Sequence, residues 1–192
     1  MEKYCLNFVR ILQYIIRNTL KAVCVEIGSK NNLVQYNDIS ENFVGLSIFS
    51  GTTENTYRYN KVYDNEMAGI EIVSYHNGTQ KRNTLEGNDI HDNIYGIYLK
   101  QNSIKNNITN NTLTKNLIGI FLEDNSNATN IESNIITKCL VGALFLGCDK
   151  NNWNNNYWGR PRILPKTIPG LKKVGGLYIP WINLDKNPKL IK

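Results

Sequence analysis

The line NDIHDNIYGIYL, residues 88–99, is one of five versions of a single pattern. It returns as NDISENFVGLSI from Asn37, NKVYDNEMAGIEI from Asn60, NTLTKNLIGIFL from Asn111 and NIITKCLVGALF from Asn134. The leading asparagines stand 23, 28, 23 and 23 residues apart, and Gly45, Gly69, Gly96, Gly119 and Gly142 follow with nearly the same spacing. A fixed period of this length marks a solenoid, in which each repeat is one structural unit too small to bury its own apolar face.

Working outward, Val34, Tyr57, Leu85, Ile108 and Ile131 form an apolar column five residues ahead of Ile39, Val62, Ile90, Leu113 and Ile136. After the glycine, pairs such as Ile70/Ile72, Ile97/Leu99 and Ile120/Leu122 alternate with other residues, the period-two signature of a strand with one buried face. Each repeat therefore supplies three short strands. Stacking pairs every strand with its equivalents above and below. The predicted fold is all-β: a right-handed single-stranded parallel β-helix of about six coils of ~23 residues over 22–158, roughly 30 Å long at about 4.8 Å per rung.

The asparagine columns 37, 60, 88, 111, 134 and 42, 65, 93, 116 have a structural reason. Asn tolerates left-handed backbone, and its amide both donates and accepts, so stacked copies form ladders. Gly is expected to supply the tightest corner.

A solenoid also needs caps. In residues 1–21, Cys5, Phe8, Val9, Leu12, Ile15, Ile16 and Leu20 fall at helical spacing, which predicts an amphipathic helix sealing the first coil. A degenerate coil and a membrane-surface helix are the rival readings, since Ala22-Val23-Cys24-Val25 already fits the strand after glycine. At the other end Trp153 and Trp158 continue the apolar columns, and 159–192 is expected to be an extended basic tail packing on the last rung.

Charge divides with these parts. The formal total is +6, split as +3 over 1–21, −4 over 22–158 and +7 over 159–192. Such basic ends suit an acidic polysaccharide, an anionic membrane or nucleic acid alike. No segment of Met1–Ser29 has an uninterrupted signal-peptide core, and none of the chain reads as a membrane-spanning helix. Four cysteines, at 5, 24, 139 and 148, show no zinc or disulfide-scaffold spacing. Cys139 replaces an Asn, as a small buried residue.

Candidate chemistry lies on outward columns. Lys61, Tyr63, Asp89 and His91 fall on adjacent rungs and include the base, acid and cation that a uronate lyase or epimerase requires. Asp64 and Asp92, at the next corner, are the carboxylates a hydrolase would use. A solvated polar face is the plainer explanation. Glu71, Tyr98 and Phe121 point outward after the glycine, and Tyr98 with Phe121 is expected to make a flat platform for sugar rings, or else to lie under the tail. The longer loop around residues 74–82 is a further recognition candidate.

The NxIxxNxxGIxL coils, together with Asn156-Tyr157-Trp158-Gly159-Arg160-Pro161-Arg162 and Pro180-Trp181-Ile182-Asn183-Leu184-Asp185, resemble NosD-type β-helix repeats of the pectin-lyase-like carbohydrate-binding and sugar-hydrolase superfamily. That resemblance implies an extracellular, cell-surface or periplasmic protein in contact with polysaccharide or envelope glycan. A monomer is expected, and no nucleic acid, because the basic residues lack a recognised reading motif. NosD itself is associated with maturation of a copper enzyme, yet beyond cysteine this chain offers only Met1, Met67, His76 and His91 as soft or imidazole ligands. No cofactor is expected. Calcium through corner Asp and Asn oxygens has no nonapeptide motif to support it, and the Asp-Pro-His-Glu motif of alginate epimerases is missing. The function expected is a non-catalytic polysaccharide-binding or structural module, with a lyase, epimerase or hydrolase as the alternative.

Overall fold

A computed structural model describes residues 10–26, 28–49, 51–74 and 78–190. All regular structure among them is strand. The first column stacks Arg10–Leu12, Leu33–Gln35, Thr56–Arg58, Thr84–Glu86, Asn107–Thr109, Asn130–Glu132 and Asn152–Asn154, each paired in parallel with the next. The second runs from Ile15–Ile16 to Ile135–Thr137 and the third from Lys21–Val25 to Val141–Leu146. The result is a parallel β-helix of about seven turns.

Register follows the sequence columns. Val34 pairs with Tyr57, Tyr57 with Leu85, Leu85 with Ile108 and Ile108 with Ile131, and all five side chains are fully buried in the core. Burying an Ile or Leu contributes about 2 kcal/mol, so strands of three residues hold because each rung adds to one continuous core. The longer repeat keeps the register of the rod, since Thr84 still pairs with Thr56.

The asparagines act as predicted in bonding but not in backbone. Asn88 accepts at Oδ1 from the main chain of Asn60 (3.0 Å) and from its Nδ2 (3.0 Å), while its own Nδ2 donates to Tyr57 O and Asn111 Oδ1. The left-handed residue is the one before each ladder position: Tyr36, Tyr59, Asn110 and Ser133 in one column, Glu41, Asp64, Asp92, Lys115 and Lys138 in the other. Left-handed backbone costs on the order of 1 kcal/mol at such residues. The ladder bonds one position on offset it and leave the corner side chain free to vary. A third ladder, Asn32, Asn55, Asn83 and Asn106, was not among the predicted columns.

The glycine column also has a different cause. Gly96 is not left-handed; a Cβ there would sit 2.6 Å from the carbonyl oxygen of Gly119 one coil on. Close approach, not a tight corner, excludes side chains.

Two end elements differ from expectation. The predicted N-terminal helix is instead the first coil: Arg10–Leu12, Ile15–Ile16 and Lys21–Val25 pair with the next rung, with Ile11 and Ile16 against the core. Helical spacing lost to the three-strand spacing because rung pairing satisfies the backbone of these residues; Cys5, Phe8 and Val9 lie outside the described residues. The C-terminal tail is a β-hairpin, Lys166–Val174 against Leu177–Asp185, with Gly175 and Gly176 at its turn. It joins the rod where Phe145 pairs with Gly170, Leu146 with Leu171 and Trp153 with Asp185.

Candidate functional site

On the second column, strand register brings together the four residues expected there. Asp89 pairs with Lys61 and His91 with Tyr63. The Tyr63 and His91 rings stack at 5.0 Å and 15°. Asp92 Oδ2 lies 2.7 Å from His91 Nδ1, so the carboxylate engages that nitrogen and not Nε2. Lys61 Nζ stands 4.3 Å from the Tyr63 ring centroid, and Arg17 donates to the Tyr63 hydroxyl at 3.4 Å. Arg17 was not foreseen, because it lay in the presumed helix. The groups of a proton-transfer site are thus adjacent, on the flat outer face of a sheet.

Asp64 and Asp92 occupy equivalent left-handed corners one coil apart. Asp92 is engaged by His91 and lies 3.9 Å from Lys115 Nζ, so this pair is not two free carboxylates facing a common water.

The third column differs from its expected form. Glu71 is buried: its Oε1 accepts from Lys21 Nζ at 2.8 Å and Ser47 Oγ at 2.5 Å. Neighbouring rungs supply the partners that a ligand would otherwise provide. Tyr98 and Phe121 are parallel within 4° with centroids 5.3 Å apart, and Tyr95 joins them. Rings that close cannot tile side by side, so they stack along the rod and turn edges, not faces, outward. The Tyr98 hydroxyl donates to Glu123. Burial, reinforced by the Glu123 carboxylate, raises its pKa above the ordinary value for tyrosine.

Beside His91, a groove of about 600 Å³ follows the next corner over three coils. Its walls include Asp92, Lys115 and Lys138 on one side and Ile94, Leu117 and Leu140 on the other. All three apolar side chains are exposed, Leu140 at 79%. The groove was missed in the sequence, although its signal was present: an apolar residue directly follows the ladder position at Phe43, Ile94, Leu117 and Leu140. Tyr36 and Tyr59, stacked at 5.5 Å, form another unforeseen exposed pair.

The sequence model of a family described as periplasmic copper-binding protein (NosD) matches residues 15–160. The chain belongs to the NosD family. No curated protein matches it. Among solved structures it is similar to the crystal structure of the periplasmic alginate epimerase AlgG, at 15% identity and TM-score 0.42, and to a double mutant of that enzyme, at 16% and 0.42. Each alignment covers 79% of this chain and 31% of the other, so this NosD-family chain spans about a third of their length.

Copper is the metal that the family description names. No three His, Cys, Asp or Glu residues among the described residues gather as a ligand set. Burial pushes the Cys24 and Cys148 thiols up to about 12 and also raises Cys139, which disfavours the thiolates that copper prefers. Cys139 and Cys148 are both free.

Proposed function

We propose that this NosD-family β-helix is a non-catalytic envelope module that holds a polysaccharide chain along the groove beside Asp92, Lys115 and Lys138. The observation that carries the reading is the pairing of an exposed apolar ladder, Ile94, Leu117 and Leu140, with a polar one at constant rung spacing. A glycan presents that same alternation: C–H faces pack on aliphatic side chains, and hydroxyl or carboxylate groups meet lysine. The periplasmic location in the family description supports placement in the periplasm or envelope.

Binding to a panel of neutral and uronate-containing polysaccharides, run beside an ultraviolet assay for unsaturated products, tests this. Binding that falls at least about tenfold in Leu117→Asp and survives in His91→Ala is the expected result, a loss of about 1.4 kcal/mol or more. A lyase or epimerase is the second reading, favoured by the Tyr63, His91 and Arg17 contacts. Unsaturated product for a lyase, or a changed ratio of uronate epimers for an epimerase, that disappears in His91→Ala would replace the first reading with it.

A further inference from the structure

The C-terminal hairpin is held at its root and touches the rod only in part beyond it. Ile168 enters the core and Asp185 is fully buried, and Tyr178 lies against Gly147 and Lys172 pairs with Asp149, but from Leu171 to Leu184 both faces keep exposed apolar side chains. Register assigns Val174, Leu177, Ile179 and Trp181 to one face and Leu171, Tyr178, Ile182 and Leu184 to the other. All eight are exposed, Leu177 at 72%. An isolated two-stranded ribbon is marginal in water, and an apolar surface of this extent marks a contact.

A second element at the same end repeats the chemistry. Ile163 and Leu164 are 93% and 77% exposed, between Arg160 and Arg162 on one side and Lys166 on the other. Residues 159–192 hold eight basic side chains and a single acidic one. That one is Asp185, which is buried, so the exposed charge that the described residues of this segment themselves contribute is cationic, with Lys172 paired at 3.3 Å to Asp149 of the rod. Lys172 lies 5.0 Å from the Trp181 ring centroid and Lys173 5.7 Å from that of Tyr178, with each ammonium beside an amphipathic ring.

We infer that the hairpin and the 160–164 loop dock this end of the rod onto an anionic lipid bilayer. A folded partner offers one surface and would cover one face of the ribbon. A bilayer interface surrounds both faces, takes Val174 and Leu177 at the tip below the headgroups, and leaves Trp and Tyr at headgroup level where such rings partition. The lysines and arginines then meet lipid phosphate. This inference is independent of the glycan reading, because it uses no residue of the groove.

The test is co-sedimentation of the whole chain with vesicles of phosphatidylcholine alone and of phosphatidylcholine mixed with phosphatidylglycerol. Trp fluorescence is followed in parallel. Trp153 and Trp158 are buried, so a blue shift reports Trp181. Binding to the mixed vesicles with a blue shift, weakened at least about tenfold in Leu177→Ser/Ile163→Ser, is expected. Circular dichroism checks that the variant remains folded, as its exposed positions imply. Failure to bind the mixed vesicles would overturn the inference, and so would equal binding by the variant, which would leave charge alone as the cause. Lipid-free dimerisation abolished by the same variant would make a second copy the occupant instead.

Discussion

Asp185 stands where the next coil would place an asparagine: its Oδ2 accepts from the main-chain N–H of Asn156 at 3.0 Å and from the Asn156 side chain at 3.0 Å. The Trp158 indole donates to the same oxygen at 2.9 Å. Every ladder residue needs an acceptor from the following rung, and at the last rung a carboxylate supplies it without bringing donors that would need partners of their own. The hairpin is therefore the final member of the ladder as well as its cover.

Asp185→Ala is expected to leave three buried donors unpaired and to cost about 3 kcal/mol in denaturant unfolding. Asp185→Asn keeps an acceptor at that point and should lose much less. Equal losses in the two variants would show that the carboxylate charge, not its acceptor oxygen, is what the end of the ladder requires.

Within the rod, Asn88→Ala removes the acceptor for two Asn60 donors and orphans the buried Tyr57 carbonyl and Asn111 Oδ1 from one donor each. Destabilisation of about 3 kcal/mol is expected. Gly96→Ala should cost about 2 kcal/mol by a different route, since its Cβ would press on main-chain oxygen that cannot swing away. Urea midpoints of the two variants, with unchanged far-ultraviolet circular dichroism, check both.

The rod was legible because its restraints repeat. Ile39, Val62, Ile90, Leu113 and Ile136 each inform the next, so one misread residue does not move the register. Arg10–Val25 was misread because it occurs once at an end, without a neighbour on one side to reveal its spacing, and an apolar period near four fits a short helix or successive strand corners equally well. The hairpin was half legible: Gly175-Gly176 is a strong turn signal flanked by apolar residues, but Pro169 and Pro180 argue against strands unless those strands have free edges, as these largely do. At the candidate sites, register placed Tyr63 beside His91. Burial of Glu71 depends on Lys21 and Ser47 from other coils, and column position alone carries no information about that.

Cys139 gives a prediction of the opposite sign. It ends the ladder Asn42, Asn65, Asn93, Asn116, and its sulfur lies 3.5 Å from Thr137 O and 3.9 Å from Leu113 O. Those are the carbonyls that an asparagine amide reaches at this position in other coils, as Asn93 does to His91 O at 2.9 Å. Cys139→Asn should restore full-strength bonds to Asn116 and stabilise the protein by about 1 kcal/mol. A lower melting temperature than the parent would mean that the smaller thiol is required by the packing of this last rung.

The buried Cys148 thiol carries the pH dependence. Burial raises it from 9.0 to about 12 in the folded chain, so folding favours the protonated form. Its contribution is fully present below pH 9, where folded and unfolded thiols are both neutral, and is lost as pH rises from about 9 towards about 12, because the unfolded thiol ionises first. In a variant that keeps Cys148 alone among the cysteines, a thiol reagent at neutral pH should react slowly with native protein and rapidly after urea unfolding. Replacing that last cysteine with valine should flatten the fall in urea midpoint across the same alkaline window. Rapid labelling of the native single-cysteine protein would place the thiol in contact with solvent, contrary to its burial in the core, and the alkaline loss would then have to come from another group.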